Sequence, residues 1–278
     1  MIGESSDESV VHVFWIAGMS CDGCTVSTLG ASNPSVEDMV LGRIPGLPRV
    51  VLHHPMLSEE SGHELMEHYR QAVEGTLGAP YIVVLEGSIP DDQTLEREGH
   101  FAALGVGTDW PQSLSSSRDR QQPLRATDWA WAMAPKAAAY IAIGTCATWG
   151  GIPAAVGNIT GSMGLMDYLG ADYRSARGIP IVNVPGCAPV GDNFTETLAH
   201  VLRFLDGSAP LPEFDDLGRP AWQFTETVHR HCPKAGYYEE GVFSEEPGDN
   251  QCLVEIGCWG PVVQCNIVER GAINHMGG

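Results

Sequence analysis

Apolar positions along this chain fall in short runs separated by amphipathic stretches. Residues 10–18 (VVHVFWIAG), 49–55 (RVVLHHP), 80–89 (PYIVVLEGSI), 138–146 (AAYIAIGTC) and 179–187 (IPIVNVPGC) form five such runs. Each is too short and too rich in β-formers for a helix, and reads as a buried strand. Between them the spacing becomes helical. Residues 62–75 put Leu65, Met66, Tyr69, Ala72 and Val73 on one face, and residues 191–205 do so with Phe194, Leu198, Val201, Leu202 and Leu205. A third helix is predicted near 124–137, and the polar stretch 107–123 reads as a surface loop. Strands alternating with helices predict an α/β domain built on a doubly wound, largely parallel sheet, over residues 1–207.

From residue 208 the pattern changes. The stretch GSAPLPEFDDLGRP is rich in turn formers and reads as a linker. Residues 221–278 show little hydrophobic periodicity yet hold four of the eight cysteines. Such a segment builds little core alone, so residues 208–278 are expected to fold around metal.

Composition narrows the function. The 278 residues carry a formal net charge of -20, with a pI near 4.7. That excludes a basic nucleic-acid-binding face. No apolar run is long enough to cross a bilayer, so no transmembrane segment is expected. The N-terminal stretch MIGESSDESVVHVFWIAG lacks a basic export signal, and the expectation is a cytoplasmic protein, membrane-associated at most through its partners. In a reducing compartment eight cysteines suit metal ligation better than disulfides.

The cysteines fall at telling places. Cys21 and Cys24 follow the first run as GMSCDGC, Cys146 ends the fourth in GTC, and Cys187 ends the fifth in PGC. Open α/β sheets bind ligands beyond the carboxyl ends of their strands, so this placement brings four thiols to one edge. Four thiolates suit zinc or an iron–sulfur cluster. Gly18, Gly23, Gly144 and Gly186 let backbone approach the sulfurs, which favours a cluster. Glu86, in LEGS, points toward the same edge, either as an acid near the metal or as a capping carboxylate. A second constellation is HRHCP followed by CLVEIGC. His229 and Cys232 are spaced x2, Cys252 follows after nineteen residues and Cys258 after five more. One imidazole and three thiolates make a four-ligand site for a cluster or for zinc, with His231 the rival of His229. Cys265 is left over.

Taken together, CDGC, EGSIP, GTCATWGGIP, VPGCAP, H-x2-C and CLVEIGCWGPV run the whole length in an order that resembles the small, electron-transfer subunit of nickel–iron hydrogenases, most similar to the cytoplasmic uptake branch of cyanobacterial and actinobacterial type. The resemblance implies a flavodoxin-like domain followed by a cluster-binding domain. It implies that Cys21, Cys24, Cys146 and Cys187 hold the iron of a proximal cluster and His229, Cys232, Cys252 and Cys258 that of a distal cluster, each 4Fe-4S or 3Fe-4S. Cys265 is then the first ligand of a medial 3Fe-4S cluster. It further implies a large-subunit partner bearing the nickel–iron centre, a higher oligomer of such heterodimers, and an acceptor protein or quinone beyond. The chain is expected to be a hydrogenase component with no activity alone. Small subunits of this kind usually carry a further C-x2-C beyond Cys265; here the sequence closes at Gly278 without one, and the expectation is that it is truncated. Replacing one thiolate by neutral His229 is expected to raise the distal potential. The aromatic stretches 13–20 and 147–153, with Trp15 and Trp149, are candidates for the partner surface or for core. A complex I-like quinone-reducing subunit and a zinc-binding interaction module are the competing readings.

Overall fold

A computed structural model describes residues 9–95, 99–114 and 119–271; the closing Gly277–Gly278 and residues 115–118 of the polar stretch lie outside the described residues. In chain order the strands are β1 (Val10–Ala17), β2 (Arg49–His53), β3 (Tyr81–Glu86), β4 (Ala103–Val106), β5 (Pro123–Arg125), β6 (Ala139–Ile143) and β7 (Val182–Val184). The helices are α1 (Gly23–Leu29), α2 (Val36–Val40), α3 (Gly62–Glu74), α4 (Ala126–Met133), α5 (Gly144–Trp149), α6 (Leu165–Leu169), α7 (Gly191–Leu205), α8 (Ala221–Phe224) and α9 (Ala235–Glu239). The residues group into two compact units. One runs to Pro212 and includes Asp216–Gly218; the other comprises Glu213–Asp215 and Arg219–Gly278.

The first unit is built on a five-stranded sheet in the order β2-β1-β3-β6-β7, every pair parallel. This is the flavodoxin-type order, whose switch point lies between β1 and β3. All residues of β3 and β6 are buried. That explains their unbroken apolar runs, because a parallel sheet is covered on both faces. On β1 the two-residue period sorts the side chains. Phe14 and Ile16 join Leu65, Tyr69 and Trp129 in the main core under α3 and α4. Trp15 points the other way, with Phe194 of α7 edge-on at 5.4 Å. On α3 the five residues expected to face inward are the five that are buried, and Gly75, at φ 81°, ends the helix in the left-handed conformation.

Two differences from the sequence expectation matter. The run 138–146 is strand only to Ile143; Gly144 turns the chain and Cys146 lies inside α5. A short apolar run does not distinguish a strand from a buried helical turn. The polar stretch is not all loop either: β5 closes it and pairs antiparallel with β4 in a small ribbon.

The second unit has short helices and turns, joined by isolated bridges such as Thr227 with Gln264 and Phe243 with Cys252. Pro220, Phe224 and Cys252 are its buried apolar side chains among those described. So small a core contributes little to ordering this unit.

Candidate cluster-binding sites

The sheet register aligns the first site. Ala17 pairs with Glu86, Glu86 with Ile143, and Ile143 with Val184, so one row of residues marks the carboxyl edge. Cys21 and Cys24 follow Ala17 by four and seven residues, while Cys146 and Cys187 each follow the row by three. All four sulfurs therefore emerge at one edge, beside the switch point. They feel one another: burial pushes the Cys24 thiol up to about 12, and the charges of Glu86, Cys21, Cys146 and Cys187 push it the same way. Cys146 is raised by burial too, offset in part by a backbone N–H from Ile152. Thiolates crowded here repel each other, so holding them ionised takes a cationic centre.

The backbone packs closely against two of the sulfurs. A Cβ on Gly144, at φ +86°, would stand 2.4 Å from Cys24 Sγ, and one on Gly151, at φ +58°, 2.5 Å from Cys146 Sγ. Gly23 borders Cys21 Sγ more loosely, at 3.3 Å. Gly18 and Gly186, expected to border sulfur, are instead pressed against the Ser88 carbonyl and Pro189. The role of Gly151 escaped sequence reading, because the sulfur it faces lies five residues back across a turn.

Glu86 is 1 % exposed and does two jobs. Its Oε1 accepts from the backbone N–H of Cys24 (3.1 Å) and Thr25 (3.3 Å), capping the first turn of α1 from another strand. Its Oε2 accepts from Trp15 Nε1 at 2.8 Å and from the Thr25 hydroxyl. The hydroxyl in turn contacts His54 Nε2 at 3.0 Å. Since His54 Nδ1 accepts from the Met56 N–H (3.1 Å), the neutral ring carries its proton on Nε2 and donates to Thr25. Burial holds His54 down to about 4, although Glu86 pulls it up. Trp15 is thus core and a Glu86 donor, not partner surface: β1 is an inner strand with both faces covered. Trp149 differs. It is exposed, as are Ile152, Val156 and Ile159 in the segment after Cys146.

In the second unit, His229 opens the other candidate site. Its N–H donates to the Gly260 carbonyl (3.0 Å), and the Gly260 N–H donates to Cys258 Sγ (3.3 Å). Cys232 follows, with its N–H on the His229 carbonyl at 3.1 Å. The His229 ring meets Tyr238 edge-on at 4.6 Å, Tyr238 meets Phe243 at 6.1 Å, and Phe243 bridges to Cys252. His231 faces elsewhere: its Nε2 lies 2.8 Å from Glu226 and 2.9 Å from Glu269. Cys265 hangs from the Glu226 carbonyl by its N–H (3.1 Å); burial raises its thiol, and the N–H groups of Ile267 and Asn266 lower it.

A parallel α/β sheet with thiols gathered at its switch edge, followed by a cysteine-rich unit with scant core, is the arrangement of a metal-binding protein. Comparison with known proteins sharpens the class. Residues 21–201 match the family model described as NADH ubiquinone oxidoreductase, 20 Kd subunit. Residues 224–277 match the model for the C-terminal part of the NiFe/NiFeSe hydrogenase small subunit. The periplasmic [NiFeSe] hydrogenase small subunit of Desulfomicrobium baculatum is 33% identical over 262 residues, covering 93% of this chain and 76% of that one. The hydrogenase-2 small chain of Escherichia coli K12 is also 33% identical, over 90% of this chain and 58% of its own length. An actinobacterial-type NiFe hydrogenase from Ralstonia eutropha H16 superposes with a TM-score of 0.89 at 49% identity, covering 98% of this chain and 75% of that one. The chain belongs to the small-subunit family of nickel–iron hydrogenases, the electron-transfer subunit that works with a large subunit. Such subunits carry iron–sulfur clusters, and the nickel–iron centre belongs to the large subunit. The match over residues 224–277 disfavours a complex I-like subunit.

Proposed function

We propose that this chain carries electrons from hydrogen oxidation, at the nickel–iron centre of a large subunit, through three cluster sites to an external acceptor that is quinone-linked. The convergence of Cys21, Cys24, Cys146 and Cys187 on one sheet edge carries the reading. These four residues would hold the proximal cluster, His229, Cys232, Cys252 and Cys258 the distal one, and Cys265 part of a medial one. Bound iron–sulfur clusters supply one-electron redox chemistry.

Two observations favour clusters over zinc. A tetrahedral zinc with ~2.3 Å bonds needs sulfurs about 3.8 Å apart. Among the described residues, no three of these sulfurs lie within 4.8 Å of one another. The cradles at Gly144 and Gly151 also bring backbone against sulfur, as a bulky inorganic core requires.

The chain's own residues position and tune. Glu86 fixes the start of α1, and so the Cys24 sulfur, while adding negative charge beside it. It acts as a positioning carboxylate whose charge lowers the potential at that edge. His229, kept apart from the Glu226–Glu269 pair that engages His231, brings a neutral ligand to a set of thiolates, and this raises the potential there. Backbone N–H groups at the Cys265 sulfur are what a cluster thiolate takes. Trp149, Ile152, Val156 and Ile159 are exposed apolar residues in the segment that follows Cys146, where the large subunit would dock; heterodimers would then pair into a higher oligomer.

Purification of the native complex through this chain tests the assignment. The expected result is a larger, nickel-containing partner and hydrogen-dependent dye reduction, with none from the isolated chain. Recovery of the chain without a nickel partner under the same conditions would contradict it.

A further inference from the structure

Away from the sulfurs, a knot of imidazoles lies under β1, β2 and α3. His53, at the end of β2, is 1 % exposed. Its ring sits against Phe14 (centroids 4.4 Å apart) and against His68 of α3 (4.5 Å). His53 Nε2 is 2.7 Å from His12 Nδ1, the two rings lying within 2° of coplanar. His68 Nε2 is 2.9 Å from the Glu60 carboxylate. Each of the two rings is thus held through Nε2, and each leaves Nδ1 buried with no hydrogen-bond partner.

A buried imidazole nitrogen such as His53 Nδ1 is costly to leave without a partner unless something fills it. One donor atom from each of His53, His68 and Glu60 lies within 4.8 Å of the other two. Among the described residues this is the one group of three or more such donors that is so tightly drawn. The pattern is that of a metal site: a ligating histidine characteristically gives its other ring N–H to a carboxylate or similar acceptor, which fixes the ring. His12 does this for His53 through Nε2, which leaves His53 Nδ1 as the ligand atom, while His68 Nε2 and the Glu60 carboxylate, 2.9 Å apart, would both face the ion. Tyr69 Oη donates to the His53 carbonyl at 3.2 Å and anchors the backbone beneath. Glu60 and His68 are 46% and 27% exposed at their side chains, which gives an ion a way in from solvent.

We propose that His53, His68 and Glu60 form a binding site for a divalent transition-metal ion of the zinc class, with His12 positioning His53. Neutral imidazole plus carboxylate is the borderline donor set such ions select. Burial keeps His53 deprotonated, down to about 3. The site is separate from the cluster ligands, so its occupant would stabilise the α3 side of the sheet and leave the electron path unchanged.

Zinc itself is the probe. The heterodimer, with its clusters loaded, is treated briefly with a chelator, desalted and titrated with zinc, and bound zinc and iron are counted together. The expected result is one saturable zinc per heterodimer with iron unchanged, and at least about tenfold weaker binding in His68→Gln. Glu60→Gln, at an exposed position that does not threaten folding, should weaken it similarly. Zinc uptake equal in wild type and both variants, uptake that tracks loss of iron, or no uptake above the desalted blank would each overturn the proposal; the last would mean that water fills the orphaned nitrogens.

Discussion

Cys24→Ser is expected to strip one cluster's iron and sulfide from the complex and to cut hydrogen-dependent dye reduction by at least about 100-fold. Substitutions that merely disturb the residues supporting a metal ligand cost roughly 10–100-fold, so loss of a ligand sets that as a floor. Cys24 is the sulfur most tightly tied to its surroundings. Its backbone N–H is held by Glu86, its Sγ borders Gly144, and the other three thiols all act on it. A serine hydroxyl is shorter, harder and far less acidic, so it does not replace a thiolate. The fold should survive, because Cys24 lies on α1 outside the main hydrophobic core. Iron and sulfide assays with dye-reduction kinetics check this. An unchanged iron content would remove Cys24 from the ligand set.

The second large effect is expected from Gly144→Ala. Its Cβ would sit 2.4 Å from Cys24 Sγ, more than ~1 Å inside ordinary van der Waals contact. The sulfur or the strand end must move, and either breaks the cradle. Part of any loss will come simply from placing alanine at φ +86°, which costs on the order of 1–2 kcal/mol. Gly178→Ala isolates that part. Gly178 has φ +75° with nothing within 4 Å of the added atom. Both variants should lower thermal stability, but only Gly144→Ala should lose iron and activity. Equal iron in the two would mean that the Gly144 cradle has no part in cluster binding.

Much of the architecture was legible in the chain, for a physical reason. Parallel strands buried on both faces show as unbroken apolar runs, and α3 and α7 show as clean helical periods, so the two patterns announce a doubly wound sheet. The edge site was legible because cysteines placed just after strand ends must converge in such a sheet. Less visible was anything that depends on a change of direction. Gly144 converts the end of an apparent strand into α5, which moves Cys146 from strand to helix. The β4–β5 ribbon, four residues against three, is too short to stand out. Whether Trp15 belonged to core or to partner surface stayed open in the sequence, because an aromatic beside a motif says nothing about which neighbours cover its strand. His53 and His54 are adjacent in sequence, yet the strand's alternation sends them to opposite faces. One joins His12 and His68, the other reaches Glu86 through Thr25. Long-range pairings such as Glu86 with the α1 amides leave no local periodicity to read.

The most direct test of the central claim is the quantification of iron and acid-labile sulfide bound with this chain in the native complex, with electron paramagnetic resonance during a redox titration. Expected are iron with labile sulfide in amounts that require more than one cluster, and signals that come and go at more than one potential. Zinc in place of iron, with no labile sulfide, would contradict the cluster assignment.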